Sequence, residues 1–255
     1  MTKEDRQNAI LDQLLTQESV LVSDLATSLD VSLVTIRKDL TELEKAGKLY
    51  RSHGKAILIN PFTNNRSVNE KEKLKAEEKQ LIGAEAVKLL AKDDSIILAS
   101  GTTIHALACN IHSESRLTIV SASLQATMTL AANDNIDIIQ LGGMVRHSSV
   151  SVVGQYSMEI LRGCSFTKLF LGVDGIDLDF GISTTDMREA ELNRSMMNAA
   201  QKTIVLADSS KFGRRGFAKI SGLEDVDIII TDAKIPQFVA NKIGEMGIEL
   251  IIAGS

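Results

Sequence analysis

From Asp93 onward the chain alternates short apolar runs with stretches long enough for a helix, and this rhythm restricts the fold more than any other feature. The runs are 95–98, 117–120, 136–139, 169–171, 203–206, 226–230 and 248–251. They are dense in Ile, Val and Leu rather than alternating with polar residues, so each reads as a strand buried on both faces. Strands of that kind separated by helices imply an α/β domain with a largely parallel sheet. Ligands of such sheets sit beyond the carboxyl ends of the strands.

The first quarter follows a different pattern. A helix over about 3–16 carries Ile10, Leu11, Leu14 and Leu15 on one side. Residues 23–46 then form two short amphipathic helices hinged at Asp30-Val31, the second running from Leu33 to about Ala46 with Ser32 as its N-cap. Three- and four-residue spacing turns Leu33, Ile36, Leu40 and Leu43 inward and leaves Val34, Thr35, Arg37, Lys38 and Thr41 outward. Beyond Gly47, a helix C-cap, residues 48–59 read as two short strands around a basic turn. This is the layout of a winged helix-turn-helix. A helix about 10–12 Å across fits a major groove about 12 Å wide, with its N-terminal part against the bases.

Charge supports that reading locally. Between Arg37 and Lys55 six Lys or Arg face three acids, a net of +3 within a chain of net −5. The protein as a whole is therefore no polycation, and cations gathered on one small domain would neutralise a few phosphates. The bland alternative is a small helical hairpin with a solvated charged face, and a further one is a winged helix used only for protein or RNA contacts. Outward Arg37 and Lys38 with a basic wing favour duplex DNA.

The segment 31–40, then Leu43-Glu44, Gly47 and Arg51-Ser52-His53-Gly54, resembles the DNA-binding segment of the DeoR family of bacterial transcription regulators. The family's wing carries two glycines after its histidine; here Lys55 takes the second place and adds a cation. The DNA-binding set expected is Ser32, Thr35, Arg37, Lys38, Arg51, His53 and Lys55.

Length and composition add bounds. The 255 residues suffice for one small and one larger domain, and 44% apolar with 24% charged residues is ordinary for a globular chain. No apolar run approaches the ~20 residues of a membrane helix, and residues 1–15 are charged rather than signal-like, so a cytoplasmic location is expected. Cys109 and Cys164 have no metal-ligand spacing and read as buried small hydrophobes; His53, His105, His112 and His147 lack carboxylate or cysteine companions. No metal and no cofactor is expected. The division expected is 1–59 for the winged helix, 60–76 for a polar linker and the start of a charged connecting helix, and 77–255 for the larger domain. That connecting helix would run from Val68 toward Leu90, its early charges solvated and Leu81, Ile82, Ala86, Leu89 and Leu90 packing inward.

Polar and small residues gather at successive strand exits: Ser100-Gly101-Thr102-Thr103, then Ser121, then Gly142-Gly143 with Arg146, then Asp174 and Asp177, then Lys211. Singly each suits a turn or a cap. Jointly they suit a phosphorylated polyol, with cations and N–H groups for phosphate and carboxylates for hydroxyls.

These pieces, with Leu141-Gly142-Gly143, 170–177, Glu189-Ala190-Glu191, 208–212 and 230–232, resemble the C-terminal effector domain of the same family, which is similar in fold to ribose-5-phosphate isomerase. The chain departs at Ala99, where the family has Asp or Asn, and at Ser121-Ala122-Ser123, where it often has Thr-Asn-Ser. The resemblance implies an α/β protein with an N-terminal winged helix-turn-helix followed by a larger domain with a mostly parallel sheet. It implies a repressor of carbohydrate-catabolic genes that binds double-stranded operator DNA as a homo-oligomer, dimer or tetramer, and is released by a phosphorylated sugar. The effector set is Ser100, Gly101, Thr102, Thr103, Ser121, Gly142, Gly143, Arg146, Asp174, Asp177, Glu189 and Lys211. The rival is an isomerase-like enzyme with a DNA-binding tail, for which resemblance puts Asp174, Asp177, Glu189 and Lys211 at substrate-binding and proton-transfer positions. The isomerase's Lys-Gly-Gly-Gly loop is absent, 181–185 standing in its place. Without that cation an enediolate oxyanion lacks support, so catalysis is not expected.

Overall fold

A computed structural model describes residues 2–17, 19–45, 48–52, 54–58, 68–112 and 116–254. The chain divides into two compact units, Met1–Asn64 and Asn65–Ser255.

In the first unit α1 (Lys3–Gln17) leads to β1 (Ser19–Leu21), α2 (Val22–Ser28) and α3 (Leu33–Lys45), followed by β2 (Leu49–Ser52) and β3 (Lys55–Leu58). The strands form an antiparallel sheet ordered β1-β3-β2, so the wing has a third strand that three residues of sequence did not announce. Asp30 turns the chain between α2 and α3 at φ 51, a left-handed conformation that Asp tolerates. Ser32 caps α3 as expected, its Oγ accepting from the Thr35 N–H at 3.2 Å. The core contains Ile10, Leu14, Val20, Leu25, Ile36, Leu40, Leu43, Leu49 and Ala56. Leu33 is not among them: it is 44% exposed, because the buried stripe of α3 starts one turn later at Ile36. The Gly47 cap lies outside the described residues, as does the His53 position.

The second unit opens with α4 (Val68–Lys73) and α5 (Ala76–Val87). These are two helices rather than the single one expected, since Lys75 takes a left-handed conformation at φ 57 between them. Ile82 and Ala86 are buried as the pattern required, whereas Leu81 stays 48% exposed. There follow β4 (Ser95–Leu98), α6 (Thr102–Asn110), β5 (Leu117–Ser121), α7 (Leu124–Leu130), β6 (Ile136–Gln140), β7 (Met144–Arg146), β8 (Ser151–Val153), α8 (Gln155–Arg162) and β9 (Lys168–Gly172). The chain ends with β10 (Gly175–Asp177), β11 (Gly181–Thr184), α9 (Met187–Ala199), β12 (Thr203–Leu206), β13 (Ala218–Ser221), β14 (Ile228–Asp232), α10 (Gln237–Glu245) and β15 (Glu249–Ala253).

All seven apolar runs are strands of one sheet, ordered β15-β14-β12-β9-β4-β5-β6, and every pair in it is parallel. Strand residues alternate between two cores, which is why the runs are apolar throughout. On β9, Leu169 and Leu171 join the core that holds Ala190, Leu192 and Met196 of α9. Phe170 joins the opposite core, with Ile82 of α5 and Ile104 and Leu107 of α6. The winding starts at β4, proceeds outward through β5 and β6, then returns to the other side of β4 with β9 and continues through β12, β14 and β15. Loops leaving β4 and β9 therefore diverge, at the switch point where open α/β sheets place their ligand crevice. Two small antiparallel sheets, β7-β8 and β10-β11-β13, were not legible as strands in the sequence.

Candidate DNA-binding face and sensor site

The face of α3 opposite its buried stripe is exposed at Ser32, Val34, Arg37 and Lys38, with Thr35 partly covered and its hydroxyl 2.9 Å from that of Ser32. The helix is held from behind. Asp39 is 2% exposed and takes a two-pronged pair from Arg6 of α1, Nε at 2.5 Å and Nη2 at 3.1 Å. Glu42 accepts from Lys3 and Gln7, and the Lys3 hydrogen bond is the main cause holding its carboxyl below the usual range. Thus two of the three acids that diluted the local charge are turned toward α1. The third, Glu44, is paired with Arg51 at 2.7 Å and also accepts the Arg51 backbone N–H at 3.0 Å. Arg51 is therefore occupied in fastening the wing to α3. Lys55, on the wing, is exposed.

In the second unit, polar side chains converge at the crevice between β4 and β9. Gly101, at φ 116, lets the chain leave β4 and start α6 with no side chain capping its first N–H groups. The N-terminus of α6 thus keeps donors directed outward, beside Ser100, Thr102 and Thr103. Ser100 donates to Glu189 Oε1 at 3.0 Å, and Thr184 donates to Glu189 Oε2 at 2.9 Å. Arg146, 8% exposed, lies 3.0 Å from Glu189 Oε2 and 3.4 Å from Asp186, and donates to Ser149 at 3.1 Å. The Thr184 hydroxyl also lies 3.1 Å from Asp174 Oδ2. Asp174 Oδ1 in turn meets Lys71 at 2.8 Å and Lys211 at 4.0 Å. One continuous network hence runs from Lys211 through Asp174, Thr184 and Glu189 to Arg146, joining loops from β9, β12, the β7–β8 hairpin and the start of α9.

The electrostatics follow from that geometry. Burial works against ionisation of Asp174, yet the charges of Lys71 and Lys211 and the hydrogen bonds from Lys71 and Thr184 outweigh it and hold the carboxyl well below the usual range. Burial likewise opposes the Asp186 carboxylate, but Arg188, the Glu189 N–H and Arg146 bring it down to about 2. Burial pushes the Lys211 ammonium below its ordinary value, with Asp174 pulling the other way. Burial also takes Lys79 down to about 8.

Several expected members stand apart from the network. Ser121 is fully buried, donating to the Leu98 carbonyl at 3.1 Å and accepting the Ser123 N–H at 3.0 Å, so it serves the backbone of the β5 exit. Asp177 accepts from Phe180 N–H and Asp179 N–H and pairs with Arg215 at 2.9 Å, closing the turn after β10. Gly142 and Gly143 are exposed and lead into the hairpin that carries Arg146. At Gly143, φ is 143 and a Cβ would fall 2.5 Å from the Val153 carbonyl oxygen. The early charges of α4 are not merely solvated, since Lys71 enters the network and Glu72 meets His105 at 3.1 Å. His105 thereby has the carboxylate companion its sequence neighbours lack, with Cys109 Sγ at 3.7 Å. Cys109 and Cys164 are exposed, contrary to their reading as buried hydrophobes. Among the described residues, no three His, Cys, Asp or Glu side chains are grouped to hold a metal ion, and no helix is long and apolar enough to cross a membrane.

A winged helix with an exposed cationic helix face, joined in one chain to an α/β unit with a polar network at its sheet's switch point, is the build of a DNA-binding regulator that carries its own sensor. A model of the DeoR-like helix-turn-helix domain matches residues 6–62, and one of the DeoR C terminal sensor domain matches residues 74–233. The chain is 35% identical to a putative aga operon transcriptional repressor of Escherichia coli O157:H7, over 98% of its own length and 94% of the relative's. It is 32% identical to the HTH-type transcriptional regulator GolR of Listeria innocua, over 98% of each. Among solved structures, a ribose 5-phosphate isomerase A of Methanocaldococcus jannaschii aligns at 19% identity and a TM-score of 0.41, covering 54% of this chain and 55% of that one. The protein belongs to the DeoR family of transcriptional regulators.

Proposed function

We propose that this regulator represses carbohydrate-catabolic genes in the cytoplasm, binding operator DNA as a homodimer or tetramer and leaving it when the sensor unit takes up a phosphorylated sugar. The observation that carries the reading is the network from Lys211 to Arg146 at the switch point of the sheet. Cations and the open α6 N-terminus suit a phosphate, and Asp174 and Glu189 suit sugar hydroxyls. On the DNA side, Thr35, Arg37 and Lys38 would meet base edges and phosphates, with Ser32, His53 and Lys55 on the backbone, while Arg51 would act indirectly by holding the wing to α3 through Glu44. One helix reads a short half-site, so two or more copies are required for specificity.

The same site argues against turnover. Residues 181–185, Gly-Ile-Ser-Thr-Thr, supply no cation to hold an enediolate oxyanion. Purified protein incubated with pentose and hexose phosphates should leave them unchanged.

The test is fluorescence anisotropy of the protein's own promoter DNA while sugar phosphates are titrated. One of them should weaken binding, a coupling of about 1–3 kcal/mol between sites. Lys211→Met should keep DNA affinity and lose the response. A panel in which no phosphate changes affinity would leave the second unit as an assembly module only.

A further inference from the structure

The first helix after the junction of the two units is tied to the sensor site by its polar side chains and backbone. Lys71 of α4 reaches Asp174, 103 residues away in the sequence, at 2.8 Å. Glu72 meets His105 of α6. Lys79, buried in α5, donates to the carbonyl oxygens of Lys71 and Leu74 at the end of α4. The side chains of Lys71 and Lys211 converge on the same Asp174 oxygen, at 2.8 and 4.0 Å, and are 26% and 22% exposed. Two ammonium groups that already meet at one anionic oxygen, with water still reaching both, are arranged to meet at another.

We propose that Lys71 is an effector-binding residue, so that α4 forms one wall of the sensor site and reports its occupancy toward the DNA-binding unit. The proposal rests on the reading of this unit as a sensor of phosphorylated sugars. A phosphate group carries more charge than a single carboxylate and offers several acceptor oxygens, so it competes with Asp174 for both ammonium groups. Lysine suits the exchange because its charge is a compact point on a flexible stem, free to change partner without a fixed fork. Asp174 keeps the Thr184 hydroxyl when Lys71 leaves. Of the polar ties that hold α4, the one from Lys71 then depends on whether the site is filled, while those through Glu72 and Lys79 do not. A ligand shifts an equilibrium only through contacts that differ between two states, and Lys71 supplies such a contact on the segment where the chain arrives from the first unit.

The test uses the full-length protein with inorganic phosphate as the first probe and ribose 5-phosphate and glucose 6-phosphate as the second and third. Calorimetric titration and hydrogen exchange of 68–73 are followed in the wild type, Lys71→Met, Lys71→Arg and Lys211→Met. The expected result is a probe affinity at least tenfold weaker in Lys71→Met and within threefold of wild type in Lys71→Arg. Probe binding should change exchange across 68–73 in the wild type and leave it unchanged in Lys71→Met. Unaltered affinity in Lys71→Met alongside loss in Lys211→Met overturns the role of Lys71 and leaves the sensor reading standing. Wild-type exchange that responds in 99–103 and 208–211 but not in 68–73 overturns it as well, with no variant needed. A wild type that binds none of the probes, or binds them as well as Lys211→Met does, removes the sensor reading and this inference together.

Discussion

Lys79 gives a quantitative test of how the sensor unit is assembled. The residue is 6% exposed and its ammonium is held by the carbonyl oxygens of Lys71 and Leu74. Burial is the largest influence on it, with Lys211 and Lys71 adding to the effect and Asp208 opposing, and its pKa falls from 10.5 to about 8. The unfolded chain therefore holds this proton more tightly than the native protein. Below about pH 8 both states are protonated and the native state carries the full cost of a buried charge. As pH rises from about 8 to 10.5 the native protein releases the proton first, the unfolded state binds more protons, and stability rises with pH. The interval between the two values corresponds to at most about 3.5 kcal/mol, at roughly 1.4 kcal/mol per pKa unit. Lys79→Met keeps the stem and removes the charge, so the difference between wild type and variant cancels the other lysines and tyrosines that titrate in this range. Urea unfolding followed by far-ultraviolet circular dichroism, at about pH 7.5 and again near pH 10, should show the wild type gaining roughly 2 kcal/mol on the variant. A difference that stays flat across that window would refute burial as what controls this lysine.

Other substitutions probe the two units separately. Arg37→Ala should weaken operator binding by about 1–3 kcal/mol if the side chain grips a base edge, or reduce the salt slope by about 1 if it grips a phosphate, with oligomer size unchanged in gel filtration. Phe170→Ala removes a fully buried ring from the strand at the middle of the sheet and should cost about 3–5 kcal/mol of sensor-unit stability, read by calorimetry. In Gly143→Ala the new methyl meets the Val153 carbonyl oxygen, so the hairpin bearing Arg146 must shift; DNA affinity should persist while the response to sugar phosphates weakens. Ser123→Ala deletes the N-cap of α7, which accepts the Ala126 N–H at 3.2 Å, and should lower the thermal midpoint by the equivalent of about 1 kcal/mol.

The strands of the main sheet were legible because a strand covered on both faces must be apolar at every position, and that leaves a mark in the local sequence. The inner stripe of α3 from Ile36 to Leu43 was legible for the same reason, since burial repeats with the helical period. Leu33 misled because periodicity reports direction around a helix and not how far along it the core extends. Tertiary structure alone decided that β9 returns beside β4, which puts Ser100, Asp174 and Glu189 at one crevice instead of on separate loops. It alone decided that Arg51 is taken by Glu44, that Asp177 closes a turn, and that the charged stretch beginning at Val68 breaks at Lys75 and reaches Asp174 through Lys71. A polar pair separated by about a hundred residues imposes no period and no composition on either segment. Only the path of the backbone between them determines whether the two charges meet.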